Sequence, residues 1–93
     1  SMDPRWRVTR RDGNPMAADE HPSMVARRSG QPQRDVLMGV LKPDGTRAWL
    51  QVNSEPLKRP GTGEVVATVT SFTDITSLIE AEDRLQQLNA QLE

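Results

Sequence analysis

Three β-rich stretches joined by very short connections constrain this chain more than any other feature. Arg34 to Lys42 sets Val36, Met38 and Val40 on one face and Leu37, Gly39 and Leu41 on the other. Arg47 to Leu57 alternates Ala48, Leu50 and Val52 against Trp49, Gln51 and Asn53. Glu64 to Thr73 is the most strand-like, running Val65-Val66-Ala67-Thr68-Val69-Thr70-Ser71-Phe72 with many β-branched residues. Pro43-Asp44-Gly45-Thr46 and Pro60-Gly61-Thr62-Gly63 separate the stretches and read as turns. A parallel pair needs a crossover of about a dozen residues or more, so these connections imply an antiparallel meander. Pro56 is expected to end the second strand, because proline donates nothing to a ladder.

The flanking segments are helical or hairpin-like. Trp6-Arg7-Val8-Thr9-Arg10-Arg11 runs into Asp12-Gly13-Asn14-Pro15, where Asp-Gly marks a tight turn, so residues 1–19 read as an arm or hairpin. Asp19-Glu20-His21-Pro22 reads as a helix start, with proline placed where its missing N–H costs least. This helix is expected to turn Met24 and Val25 inward and to stop at Gly30, with Arg27 and Arg28 in its last turn. After Asp74-Ile75-Thr76 the period changes, and Leu78, Ala81, Leu85, Leu88 and Leu92 fall on an a/d heptad stripe. Asp74, Thr76, and Ser77 with Glu80 compete as caps of this last helix. No glycine or proline stops it before Glu93, so a continuation is expected, and Ser1-Met2 reads as an added start. The expected division is an arm over 1–19, a core over 20–76 and a linker helix over 77–93.

Composition narrows the chemistry. With 93 residues, 34% apolar and a single phenylalanine, the chain buries a thin core, and a partner surface is expected to help. Zero cysteines exclude disulfides, thiolate zinc sites and a cysteine nucleophile. One histidine, His21, leaves no two-histidine metal site, and as a solvated first-turn residue it offers no proton shuttle. Twelve basic against thirteen acidic residues do not favour nucleic acid or an anionic membrane. No apolar run reaches the ~20 residues of a membrane span, so a cytoplasmic location is expected. Pro60-Gly61-Thr62-Gly63 lacks the lysine and helix of a phosphate loop, and no acid pair stands in a catalytic motif, so no catalysis is expected.

Several residues carry two readings. Met24, Met38, Leu50 and Val52, with Trp49, are candidates for a small-molecule pocket between helix and sheet, or they fill an ordinary core. Trp49 is alternatively a dimer anchor or simple packing on one sheet face. Asp74 caps the exit helix or pairs with an arginine such as Arg47, thereby coupling sheet to helix. The Leu78–Leu92 stripe is a parallel dimer seam or a face that packs back on its own domain.

The stretch from Gly39 to Leu57, with Asp44-Gly45 and Trp49-Leu50, resembles two late strands of the sensory PAS family. Val65 to Thr76 resembles that family's final strand and its Asp-Ile-Thr exit motif, here Asp74-Ile75-Thr76. Ala81-Glu82-Asp83-Arg84-Leu85 resembles the start of the helix leading to an output domain, and His21 to Gly30 the short helix before the sheet. The resemblance spans residues 20–90 and implies an α+β fold: a PAS-like antiparallel sheet of three or more strands, a short packed helix and a C-terminal coiled-coil signalling helix. It implies a bacterial sensory module that dimerises and relays a signal through Asp74, Ile75 and Thr76 to an attached output domain. A histidine kinase is the favoured output and a diguanylate cyclase the next. A ligand-free dimerisation spacer is the alternative. No cofactor is assigned, since contacts for haem or flavin are not evident. The family's first two strands are not matched, so a bare sheet edge is expected, covered by a second subunit or by chain upstream.

Overall fold

The computed structural model describes residues 6–92, with Leu92 placed by its backbone alone. Ser1-Met2, Glu93 and the side chain of Leu92 in the expected seam lie outside the described residues. Four strands form one antiparallel sheet in chain order: β1 (Arg7–Thr9), β2 (Gln33–Leu41), β3 (Arg47–Lys58) and β4 (Val65–Asp74). Two helices complete an α+β fold, α1 (Pro22–Ser29) between β1 and β2, and α2 (Thr76–Leu92) after β4.

Both tight connections between the long strands close as their sequences suggest. In the β2–β3 turn, Gly45 sits at φ 89°, and the Asp44 carboxylate accepts the Thr46 N–H at 2.9 Å. The resulting register pairs Val36 with Val52, Met38 with Leu50, and Val40 with Ala48, which gathers the apolar side chains on one face. The helix α1 lies over this face, meeting β2, β3 and β4. It opens on Pro22, ends at Gly30 with φ 70°, and carries Arg27 and Arg28 in its last turn, as the sequence signals require.

The inward stripe of α1 differs from expectation. Pro22 and Ala26 are buried, one turn apart, and Val25 is half-buried between them. Met24 is 45% exposed, because two residues of helix rotate it roughly 200° from Pro22. Pro56 also differs from expectation: it lies inside β3 opposite Thr68 rather than ending the strand. Trp49 shows which way the β3 backbone faces: its carbonyl accepts the Ile75 N–H at 2.8 Å, on the β4 side. The even-numbered residues therefore turn their main-chain groups toward β2. The last β2 pair is Gln33 with Ser54, so the donor that Pro56 lacks has no strand beside it.

The arm joins the sheet. Val8 pairs with Val40 and Thr9 with Gly39, and the chain then turns back so that the Met16 N–H donates to the Val8 carbonyl at 3.0 Å. Glu20 fastens this hairpin to the entry of α1, accepting the Ala17 N–H at 3.1 Å and pairing with Arg10. Gly39 lies between Thr9 and Trp49 in the cross-strand row. A Cβ on Gly39 would stand 2.6 Å from Thr9 Oγ1 and 2.9 Å from the Trp49 ring, so the glycine is what lets these two side chains close over the strand. Thr9 Oγ1 is buried without a hydrogen-bond partner.

Two stability outcomes follow from this row. Gly39→Ala should lower unfolding stability by about 1–3 kcal/mol, since both neighbours are held by strand pairing and cannot give way freely. Thr9→Val keeps the shape and removes the unpaired hydroxyl, so it should raise stability by about 1 kcal/mol. Urea unfolding followed by tryptophan fluorescence measures both, and equal midpoints for all three chains would refute the packing account.

Candidate functional site

A half-open cavity of about 150 Å³ lies between the start of α1 and the apolar face of the sheet. Met38 of β2, Leu50 and Val52 of β3, and Thr70 and Phe72 of β4 line its sheet side, while His21, Pro22 and Ser23 line its helix side. The register explains the grouping: Met38 pairs with Leu50, Val52 with Phe72, and Ser54 with Thr70, all on one face. Ser54 is fully buried at the edge of this group and shares a 2.9 Å hydrogen bond with the Thr70 hydroxyl. Three of the five candidate pocket residues therefore meet: Met38, Leu50 and Val52. Met24 and Trp49 do not line the cavity. Met24 faces away on α1, and Trp49 projects from the opposite face because strand side chains alternate. His21, read as solvated from the sequence, is half-buried against the cavity.

Trp49 forms a separate centre on that opposite face. Its ring is buried at 8% exposure under two guanidinium groups, with Arg47 5.4 Å and Arg11 5.5 Å from its centroid. Arg47 thus stacks on Trp49, and no ion pair joins it to Asp74 among the described residues. Arg11 also donates to Asp83 of α2 at 2.8 Å.

The main chain of Trp49 holds the start of α2. The Trp49 N–H donates to Thr76 Oγ1 at 3.0 Å, and the Trp49 carbonyl accepts the Ile75 N–H. The Thr76 hydroxyl in turn donates to the Asp74 carboxylate, which also accepts the Thr76 N–H at 2.9 Å. Ile79 N–H then closes the first helical turn on the Ile75 carbonyl. Of the competing caps, Asp74 is the one that takes a first-turn donor, while Ser77 falls inside the helix. These two bonds from Thr76, hydroxyl first, hold the Asp74 carboxyl below the usual carboxylate range, and the charge of Lys42 adds to them. The same Asp-x-Thr arrangement closes the β2–β3 turn, where Thr46 lowers Asp44 in the same way.

Beyond its first turn α2 is bare. Ile79 is its one buried residue among those described, and every residue from Glu80 to Gln91 is exposed. Leu78, Leu85 and Leu88 are each more than half exposed, and Ala81 is exposed beside them, so this stripe does not pack back on its own domain. No described strand pairs with the outer edge of β4, and Val66, Val69 and Phe72 are exposed. No described helix is long and apolar enough to cross a membrane, and no cluster of three metal-ligating side chains occurs among the described residues. No family model matches this chain, and neither a curated protein nor a solved structure shows detectable similarity to it.

Sequence reasoning missed Thr70, Phe72, Ser23 and Arg11. The apolar residues of β4 fall on both parities, Val65, Ala67 and Val69 on one and Val66 and Phe72 on the other, so the place of Thr70 and Phe72 in the cavity depends on the β3–β4 register. Arg11 gave no local signal, since its partners lie far along the chain.

The Asp74 bonds make a pH-dependent junction. A lowered folded-state pKa means the stabilisation is complete above the ordinary carboxylate range and is lost as pH falls through the lowered value. On acidification the Trp49 and Thr76 amide resonances should therefore shift only at a pH below the ordinary carboxylate range. Asp74→Ala should abolish this step and speed hydrogen exchange at Ile79, and an unchanged titration in that variant would disprove the assignment.

Proposed function

We propose that this chain is a non-catalytic regulatory module of PAS-like design, acting as a homodimer that passes a signal from its cavity to an output domain beyond α2. The observation that carries this reading is the adjacency of cavity and junction along two strands. Leu50 lines the cavity, and its neighbour Trp49 holds the first turn of α2 through both main-chain groups. On β4, Phe72 lines the cavity two residues before Asp74, which binds Thr76. A molecule that displaces Leu50 or Phe72 thereby displaces the anchors of α2. The four-stranded antiparallel sheet with one short helix across it, followed directly by a long helix, is in keeping with this family resemblance.

The cavity volume suits a ligand of about one ring, and its lining suits an apolar body with a hydrogen-bonding end near Ser23 or His21. The exposed leucine stripe supports pairing of α2 with a second copy, for which a/d leucines are the usual seam. The ligand-free spacer reading rests on the same stripe and needs no occupied cavity.

Thermal unfolding against a panel of single-ring metabolites separates the two. A ligand at 100 times its Kd stabilises by ~2.7 kcal/mol, and the shift should vanish in Leu50→Trp, which fills the cavity. A stable dimer with no shift from any compound favours the spacer. For the seam, Leu85→Asp with Leu88→Asp should weaken self-association, and an unaltered sedimentation profile would sink it.

A further inference from the structure

We infer that the N-terminal arm is a latch that holds α2 against the fold through Arg11, and that release of this latch frees the helix to pivot on its first turn. Arg11 makes two contacts from one guanidinium: it lies 5.5 Å from the centroid of the Trp49 ring and donates to Asp83 at 2.8 Å. Asp83 stands one helical turn after Ile79, the buried residue of α2, so both face the fold. Past Asp83, none of the described hydrogen bonds or ion pairs ties α2 to the rest of the chain. Among the described residues the polar attachment of α2 thus has two parts, the Thr76 junction at its start and the Arg11 latch about two turns on, on either side of the buried Ile79.

The two parts differ in strength. The junction is built from main-chain groups of a buried strand residue. The latch joins side chains that are 43% and 50% exposed, and its arm is held by a strand of three residues. An exposed ion pair with a cation–π contact shifts an equilibrium only several-fold to about tenfold, and salt screens it. A contact of that size leaves both latched and released helices populated, which a signal can rebalance. Arg11 is also fixed to the sheet through its place after β1, so a change in the Trp49 row reaches Asp83 through the same side chain. The latch sets how α2 presents its leucine stripe, and in that respect it rests on the regulatory reading above.

The chain has no cysteine, so Gln87→Cys gives a unique site for a nitroxide label on α2. In the latched chain the label should broaden the amide resonances of residues 10–13 in the arm. Asp83→Asn, which removes only an exposed charge, should relieve this broadening several-fold, and 0.5 M salt should do the same to the parent. Asp83→Arg should relieve it further, and Arg11→Glu combined with Asp83→Arg should restore part of it. Broadening that ignores both salt and the Asp83 substitutions overturns the latch, as does failure of the reversed pair to restore any. Cavity binding and self-association are read separately, so loss of the latch leaves the regulatory reading to its own tests.

Discussion

Trp49 is the residue on which the rest of the structure depends, because its two halves serve different parts of the chain. Its ring closes over Gly39 beside Thr9, drawing the arm onto the sheet, and two arginines cover it. Its main-chain N–H and carbonyl face the opposite way along the sheet and hold Thr76 and Ile75. A strand residue normally spends both backbone groups on a neighbouring strand. Here β4 has ended at Asp74, so the same groups are left to anchor a helix. The helix start therefore inherits its position from the centre of the sheet.

The two faces of the sheet carry different chemistry for a related reason. One face is apolar and is covered by α1, whose short length leaves a cavity beside its first turn. The other face carries Trp49, its arginine cover and the arm, with Asp83 of α2 reached through Arg11. Few large side chains are buried among the described residues: Met38, Val40, Trp49, Val52 and Ile79, with Ala26 under α1. A core this thin has no redundancy, so single positions such as Gly39 govern close packing.

Much of the architecture was legible because it follows from local rules. The ends of α1 are set by Pro22 and Gly30, the strands by period-two alternation, and the meander by the shortness of its turns. Asp74 was legible as a cap, since a carboxylate two residues before a helical N–H has few other partners nearby. Misreadings arose wherever a second segment decided the outcome. Pro56 stays in its strand because β2 stops short of it, Met24 faces out because Pro22 and Ala26 occupy the sheet side, and Arg47 leaves Asp74 for the Trp49 ring. Each of those choices depends on what lies across the sheet.

By itself, then, the sequence determined the α+β class, the antiparallel order, the limits of α1 and the position of the sheet-to-helix junction. Turn residues, alternation and capping act over a few residues, and their energies do not require the rest of the fold. Only the tertiary structure decided which side chains meet: Met38, Leu50 and Val52 with Thr70 and Phe72 around the cavity, and Arg11 with Trp49 and Asp83 on the other face. Those groupings depend on strand register and on which face each element turns inward, and both are fixed by packing between segments distant in the chain.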